Sequence, residues 1–353
     1  MPTIKGMSGA TFARACWAGL RPVPRLRHLF VCVADHFEPE WNGASELLKR
    51  ERVARWTDGY ARSVAGVADS RGRSPQHTFF YPMECYQPEL VEPLAELARQ
   101  GLGDVEVHLH HDNDSSEGLK SFLLDAAETL SNKHGLLTRD SNGLLRYGFI
   151  HGNWALDNSH PDGCWCGVND ELTVLRETGC YADFTMPAAP HPAQTRTINS
   201  IYDAVDDPSA PKSHDVGYPL TIGCDRPADG LMMIQGPLVI ARKGWCQKPK
   251  IENGDLTGSQ PPSTTRIHDW LRAGIKVRGR SDWLFVKLHT HGAQETNTAV
   301  LLGDAMREMH NGLAASSQRR GYAYHYVTAR EMAQLAVQAQ RGFVDPDFES
   351  LSW

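Results

Sequence analysis

His108, Leu109, His110, His111 and Asp112 close a run that begins at Asp104 and reads as a β-strand. Successive side chains of a strand alternate between faces, so positions 108, 110 and 112 point the same way. Two imidazoles and a carboxylate at one strand end have the chemistry of ligands for zinc or a related divalent ion. A polar cluster on a strand-to-loop turn is the competing reading. Three other apolar runs end in the same way. Residues 28–35 (HLFVCVAD) lead into His36, residues 147–153 (YGFIHGN) into Trp154, and residues 283–289 (WLFVKLH) into Thr290 and His291. One histidine at a strand end means little, but four strands ending in ligand-type residues point to a shared site.

The elements that must position these residues follow from periodicity. Near-continuous apolar runs are the signature of parallel strands buried on both faces. Helical spacing over 44–66, a proline opening 88–100, serines 115 and 116 before 115–135, and Asn169 before 170–177 place helices between the strands. Strands are expected at 77–82, 104–111, 147–153, 180–185, 231–240, 283–289 and 323–327, and further helices at 263–276, 294–319 and 328–340. This alternation predicts an α/β fold. A parallel (β/α) barrel of seven or eight units is the best fit, with a doubly wound open sheet as the alternative. No Gly-rich phosphate loop follows any strand, which counts against nucleotide binding. In such barrels the chemistry gathers at the C-terminal strand ends.

The expected layout is an N-terminal extension (1–27), one barrel domain (28–342) with loop insertions at about 186–230 and 244–262, and a C-terminal tail (343–353). Hydrophobic content of 41% with 22% charged residues describes an ordinary globular chain of 353 residues. The net charge of −6 leaves no basic stripe for nucleic acid and no polybasic block for a membrane surface. No apolar leader or 18-residue apolar run is present, so a cytoplasmic protein without a membrane span is expected. Of the eight cysteines, several lie in apolar runs and read as reduced core thiols. Cys164 and Cys166 form either a metal clip or, as favoured here, loop packing.

The order of motifs resembles the polysaccharide deacetylase superfamily and its distorted glycoside hydrolase/deacetylase β/α barrel. Val33-Ala34-Asp35 stands where that family has Phe-Asp-Asp. His77-Thr78-Phe79-Phe80 matches its second strand, Pro88-Glu89-Leu90-Val91 its next helix, and Gly103–His108 the approach to its metal histidine. The resemblance covers roughly 28–185, together with the strand ending at His289. It implies a divalent metal, zinc foremost, held by Asp35 and His108 with His110 or Asp112 as third ligand, and His289 as general acid. The implied activity is removal of an acyl group, such as acetyl, from an N- or O-acylated carbohydrate.

Two positions depart from the family. Its catalytic base is replaced by Ala34, and the arginine that supports this base is missing near 149–154. His36, His151 and Asp157 are the candidates to replace the base. Asn153, Trp154, His291 and Glu84 are candidate substrate contacts, and Trp41 and Trp165 could stack on a sugar ring. Lys212–Asp215 is either a lid or a hydrogen-bonded loop. The missing base keeps two other functions open: a metal-dependent C–N hydrolase or glycosidase acting on another substrate, and a non-catalytic carbohydrate-binding relative.

Overall fold

The computed structural model describes residues 3–241 and 249–351. Part of the expected 244–262 insertion and the extreme termini therefore lie outside the described residues. In chain order the elements are α1 (Gly9–Leu20), β1 (His28–His36), α2 (Glu46–Ser63), β2 (His77–Pro82), α3 (Pro88–Arg99), β3 (Gly103–Leu109), α4 (Ser116–His134), β4 (Thr138–Arg139), β5 (Leu145–His151), α5 (Glu171–Glu177) and β6 (Cys180–Asp183). They continue with β7 (Ile201–Val205), β8 (Tyr218–Pro219), β9 (Gly230–Ile234), β10 (Val239–Ala241), β11 (Lys250–Glu252), α6 (Thr264–Ala273), β12 (Trp283–Thr290), α7 (Glu295–Leu301), α8 (Asp304–Arg320), β13 (Ala323–Tyr326) and α9 (Ala329–Gln340).

The central sheet runs β12-β1-β2-β3-β5-β6-β9-β7-β8, and its pairs from β12 to β9 are parallel. The far side is antiparallel, β9 with β7 and β7 with β8. One edge of β1 serves two neighbours: β13 pairs with its first half and β2 with its last residues. The fold is thus mixed α/β with a mostly parallel central sheet.

Alternation divides each central strand between two cores. Leu29, Val31 and Val33 join Val105, Val107 and the helices α2–α4 in one apolar cluster. Phe30, Cys32 and Ala34 join Phe80, Ile150, Phe285 and α9 in another. The second face becomes polar toward the strand ends. On β3 it carries Asp104, Glu106 and His108, and on β12 Lys287 and His289, all buried. Three of these ionisable groups have local partners. Arg330 of α9 pairs with Asp104 at 2.7 Å, the Tyr181 hydroxyl and the Gly148 N–H donate to Glu106 at 2.6 Å, and the Lys287 ammonium donates to the carbonyls of Phe184 and Met186. Buried ionisable groups persist only when ion-paired or hydrogen-bonded in this way.

Several expected elements differ in their breaks. The 231–240 strand is two strands, interrupted around Gly236 and Pro237, because proline offers no N–H to a ladder. The long 294–319 helix is two helices meeting at Leu302–Gly303. The N-terminal extension contains α1, started by the Ser8 side chain accepting from the Thr11 N–H, and α1 packs on β10. The 186–230 insertion supplies β7 and β8 to the sheet. The described cysteines are all free. Among the described residues, no helix is long and apolar enough to cross a membrane.

Burial of His310 between α8 and the sheet sets up a pH test. Its Nδ1 lies 2.7 Å from the Tyr326 hydroxyl, and burial, helped by Arg307, lowers its pKa to about 4. The depressed folded value means the stability linked to His310 is intact above pH 6.5 and is lost as pH falls toward 4. Relative to His310→Asn, the wild type should therefore lose about 3 kcal/mol between those pH values. Urea denaturation of both proteins at stepped pH measures this difference; a pH-independent gap would contradict it.

Candidate metal centre and cleft

The C-terminal ends of β1, β3 and β12 deliver their polar-face residues to one place. Alternation continues past the end of β1: Phe37 donates its N–H to the Phe80 carbonyl and enters the core, so Glu38 falls on the same side as His36. Three imidazoles surround the buried Glu38 carboxylate. Its Oε1 lies 3.3 Å from His108 Nε2 and 3.1 Å from His110 Nε2, and its Oε2 lies 2.9 Å from His291 Nδ1. The His36 ring sits 5.0 Å from that of His108 and 4.7 Å from that of His291. Potential ligand atoms of His36, Glu38 and His108 all lie within 4.8 Å of one another, so this group could hold a metal ion.

The proton inventory favours a cation. His108 Nδ1 is 3.1 Å from the Ile150 carbonyl, so it carries the hydrogen in the neutral ring and leaves the Nε2 lone pair facing Glu38. Burial lowers the His108 pKa, which favours that neutral form. A lone pair opposed to a carboxylate oxygen is repulsive until a positive charge stands between them. His36 Nδ1 is buried and without a partner, and burial, with His291 and His108 nearby, keeps His36 well below the ordinary histidine range. Burial pushes the Glu38 carboxyl up, but its hydrogen bonds to His110 and His291 outweigh that and hold it well below its usual value. For His110 burial is likewise outweighed: the Glu38 and Glu84 carboxylates, the latter 2.6 Å from Nδ1, hold it up at about 10. The donor set of imidazoles and carboxylate suits a divalent metal ion.

A cleft of about 600 Å³ opens beside this centre, lined by Trp154, His191, Asn253, Asp255, His289, His291 and neighbours. His291 belongs to both the cleft and the Glu38 cluster. The Trp154 ring stands 6.2 Å from that of His36 and 5.4 Å from that of His191. His289 is paired in register with Ala34 on one side and bridged to Asp255 on the other, with Asp255 Oδ1 4.0 Å from its Nε2. That is an ion-pair distance and too long for a hydrogen bond. Burial, with Lys287 and His291 nearby, holds His289 well below the ordinary histidine range.

Two expected ligands are placed elsewhere. Asp35 lies on the helix-facing side of β1. Its carboxylate accepts from the Gly292 N–H at 2.6 Å and pairs with His77 Nε2 at 2.8 Å, beside Trp56. A side chain at Gly292 would strike this carboxylate, its Cβ falling 2.0 Å from Asp35 Oδ2. The parity of β1 thus separates Asp35 from His108 and His110, and Glu38 occupies the position expected of it. Asp112 is exposed and receives the Trp165 N–H at 3.0 Å, because the chain leaves the strand after Leu109 and the alternation no longer applies.

The candidate replacements for the base do not gather at one point. His36 belongs to the metal centre. His151 lies with His111, Cys166 and Glu171, a second group whose ligand atoms are within 4.8 Å of one another and which could also hold a metal ion. Asp157 is buried and accepts the Ser213 N–H at 2.5 Å. Burial, with Asp206 nearby, raises its carboxyl to about 8. The Lys212–Asp215 segment is the hydrogen-bonded loop, with Lys212 donating its N–H to the Asp157 carbonyl and His214 buried. Of the expected substrate contacts, Trp154 and His291 line the cleft, Glu84 supports His110, and the Asn153 N–H approaches His151 Nδ1 at 3.3 Å. Trp41 approaches His291, and Trp165 meets His160 edge-on and lies tilted near His191.

Sequence reading missed Glu38, Asp255, His191 and Glu171. Glu38 had a usable signal, the same two-residue alternation that singled out 108 and 110. Asp255 reaches the cleft through a long excursion and had none. No protein-family model matches the chain, and no curated protein matches it.

Proposed function

We propose that the chain is a metal-dependent hydrolase of the polysaccharide deacetylase kind, built on a distorted β/α barrel, which removes an acyl group from an N- or O-acylated carbohydrate. The observation that carries this reading is the convergence of His36, Glu38 and His108 from two strand ends, with the open cleft of Trp154, His289 and His291 beside them. The motif resemblance over 28–185 supplies the substrate class.

A divalent ion at Glu38 would polarise the acyl oxygen and lower the pKa of a neighbouring water. His110 and His291 keep the Glu38 carboxylate ionised for that task. With alanine at 34, the proton carrier is assigned to His289. It takes the proton from the attacking water and delivers it to the departing nitrogen or oxygen as the bond to the acyl carbon breaks. Asp255 stabilises the imidazolium formed between these steps. The acyl group leaves as a carboxylate, and the sugar amine or alcohol is freed. Trp154 offers an aromatic face to the pyranose ring and His191 flanks it.

The test is acid release from a panel of acetylated oligosaccharides by the metal-loaded protein. Turnover is expected on at least one member, with His289→Ala reducing kcat by about 10²–10⁴-fold while metal content stays unchanged. A metal-replete protein that releases no acid from any acylated sugar would overturn the reading.

A further inference from the structure

We propose that His111, His151, Cys166 and Glu171 form a second, structural site for a zinc-class divalent ion, which staples the 152–170 loop to the sheet. This inference is independent of the hydrolase reading and shares no residue with the centre at Glu38.

Residues 152–170 join β5 to α5 without a helix or strand of their own. Loops of that length inside a packed domain are uncommon and need something to hold them. The four side chains bracket this loop. His151 is the last residue of β5, Glu171 the first of α5, Cys166 lies within the loop, and His111 comes from the turn just past β3. His151, Cys166 and Glu171 are fully buried. His151 Nε2 is buried and has no hydrogen-bond partner. An unpartnered imidazole nitrogen beside a thiol, a carboxylate and a second imidazole is an open ligand position.

Geometry and charge agree. Glu171 Oε1 lies 3.3 Å from His111 Nε2, and its Oε2 lies 3.2 Å from Cys166 Sγ. The ligand atoms of all four residues lie within 4.8 Å of one another, and those of a tetrahedral zinc site are separated by roughly 3.5 Å. Two neutral imidazoles, a thiolate and a carboxylate carry two negative charges, which a divalent ion cancels in a buried place. Supporting groups are present. Asp157 donates its N–H to Glu171 Oε2 at 2.5 Å, Asn158 donates to Cys166 Sγ at 3.1 Å, and Asp114 Oδ2 lies 3.3 Å from His111 Nδ1. Such contacts orient ligands and favour their anionic forms. A thiolate with imidazoles selects zinc over magnesium or calcium. Four protein ligands leave no open position, which marks the site as structural.

Binding breaks the Cys166 S–H bond and sends its proton to solvent; no electrons are transferred. A metal on His151 Nε2 places the ring proton on Nδ1, so the 3.3 Å approach of the Asn153 N–H opens on loading.

The protein loaded with zinc should contain two equivalents by elemental analysis. Cys166→Ser and His108→Ala should each lose one, from different sites. Replacing zinc by cobalt in the wild type should produce a thiolate-to-cobalt charge-transfer band in the near ultraviolet, retained in His108→Ala and absent from Cys166→Ser. The cobalt spectrum of the wild type tests the site even where Cys166→Ser fails to fold. Absence of that band from the cobalt-saturated wild type, or unchanged metal content in folded Cys166→Ser, would overturn the proposal.

Discussion

Glu38→Gln should lose the metal at the β1–β3 strand ends, with affinity reduced by about 100-fold or more, while Asp35→Asn should keep it. The difference lies in strand parity. Glu38 faces His108, His110 and His291, whereas Asp35 faces His77 and the Gly292 N–H. Loss of an outer partner of a metal ligand alone costs about 10–100-fold in affinity. Loss of the carboxylate itself, with its charge, should cost at least as much. Glutamine keeps the volume, so the fold should survive, although His110 then has only Glu84 to hold its proton. Asp35→Asn should instead lower stability by about 1.5–3 kcal/mol, the worth of a hydrogen bond to a charged group, because the His77 and Gly292 contacts weaken. Zinc titration against a competing chelator, with thermal melts of both variants, separates the two outcomes. Metal loss in Asp35→Asn with retention in Glu38→Gln would reverse the assignment.

Arg266→Met should be the most destabilising single change near the cleft, at about 3–5 kcal/mol, the cost of leaving a buried charge unpaired. Arg266 is buried, and its guanidinium donates to both oxygens of Glu252 at 2.7 and 2.8 Å. It also donates to the carbonyls of Gln260, Pro261 and Asp255. Glu252 in turn accepts from Trp270 Nε1 and from the Gly254 N–H. The network therefore fixes the 252–261 segment that carries Asp255 to His289. Methionine fills much of the arginine volume but leaves the Glu252 carboxylate buried without its cation and several carbonyls without donors. A conservative Arg266→Lys retains the charge but not the planar fork, so it should recover only part of the loss. Urea denaturation measures both. Lost stability should be accompanied by weaker catalysis in the folded fraction, because Asp255 is no longer held. A loss below about 1 kcal/mol, the range of an exposed pair, would contradict this picture.

The sequence disclosed the alternation of strands and helices and which strand ends carry ligand chemistry. It disclosed less about which face each residue takes. β1 is buried on both sides, so no polar–apolar alternation marks the inner face, and Asp35 and His36 look equally suited to a metal. Only the packing of α2, through Trp56 against His77, assigns Asp35 to the outer side. The break at Gly236–Pro237 is set by a proline that lies inside a largely apolar run, so hydropathy does not mark it. The second histidine–cysteine–glutamate cluster joins positions from 111 to 171, and a linear reading had no reason to bring Glu171 to His151. Asp255 is harder still, since it reaches His289 from an excursion whose neighbouring residues carry no periodic signal.

His36, Glu38 and His108 are proposed to surround one cation. Anomalous diffraction from zinc-soaked crystals, collected on both sides of the zinc absorption edge, tests it most directly. A peak within bonding distance of Glu38 and His108 is predicted, with Asp35 still bonded to His77. No peak there at full zinc loading, or one bound by Asp35, would refute that arrangement.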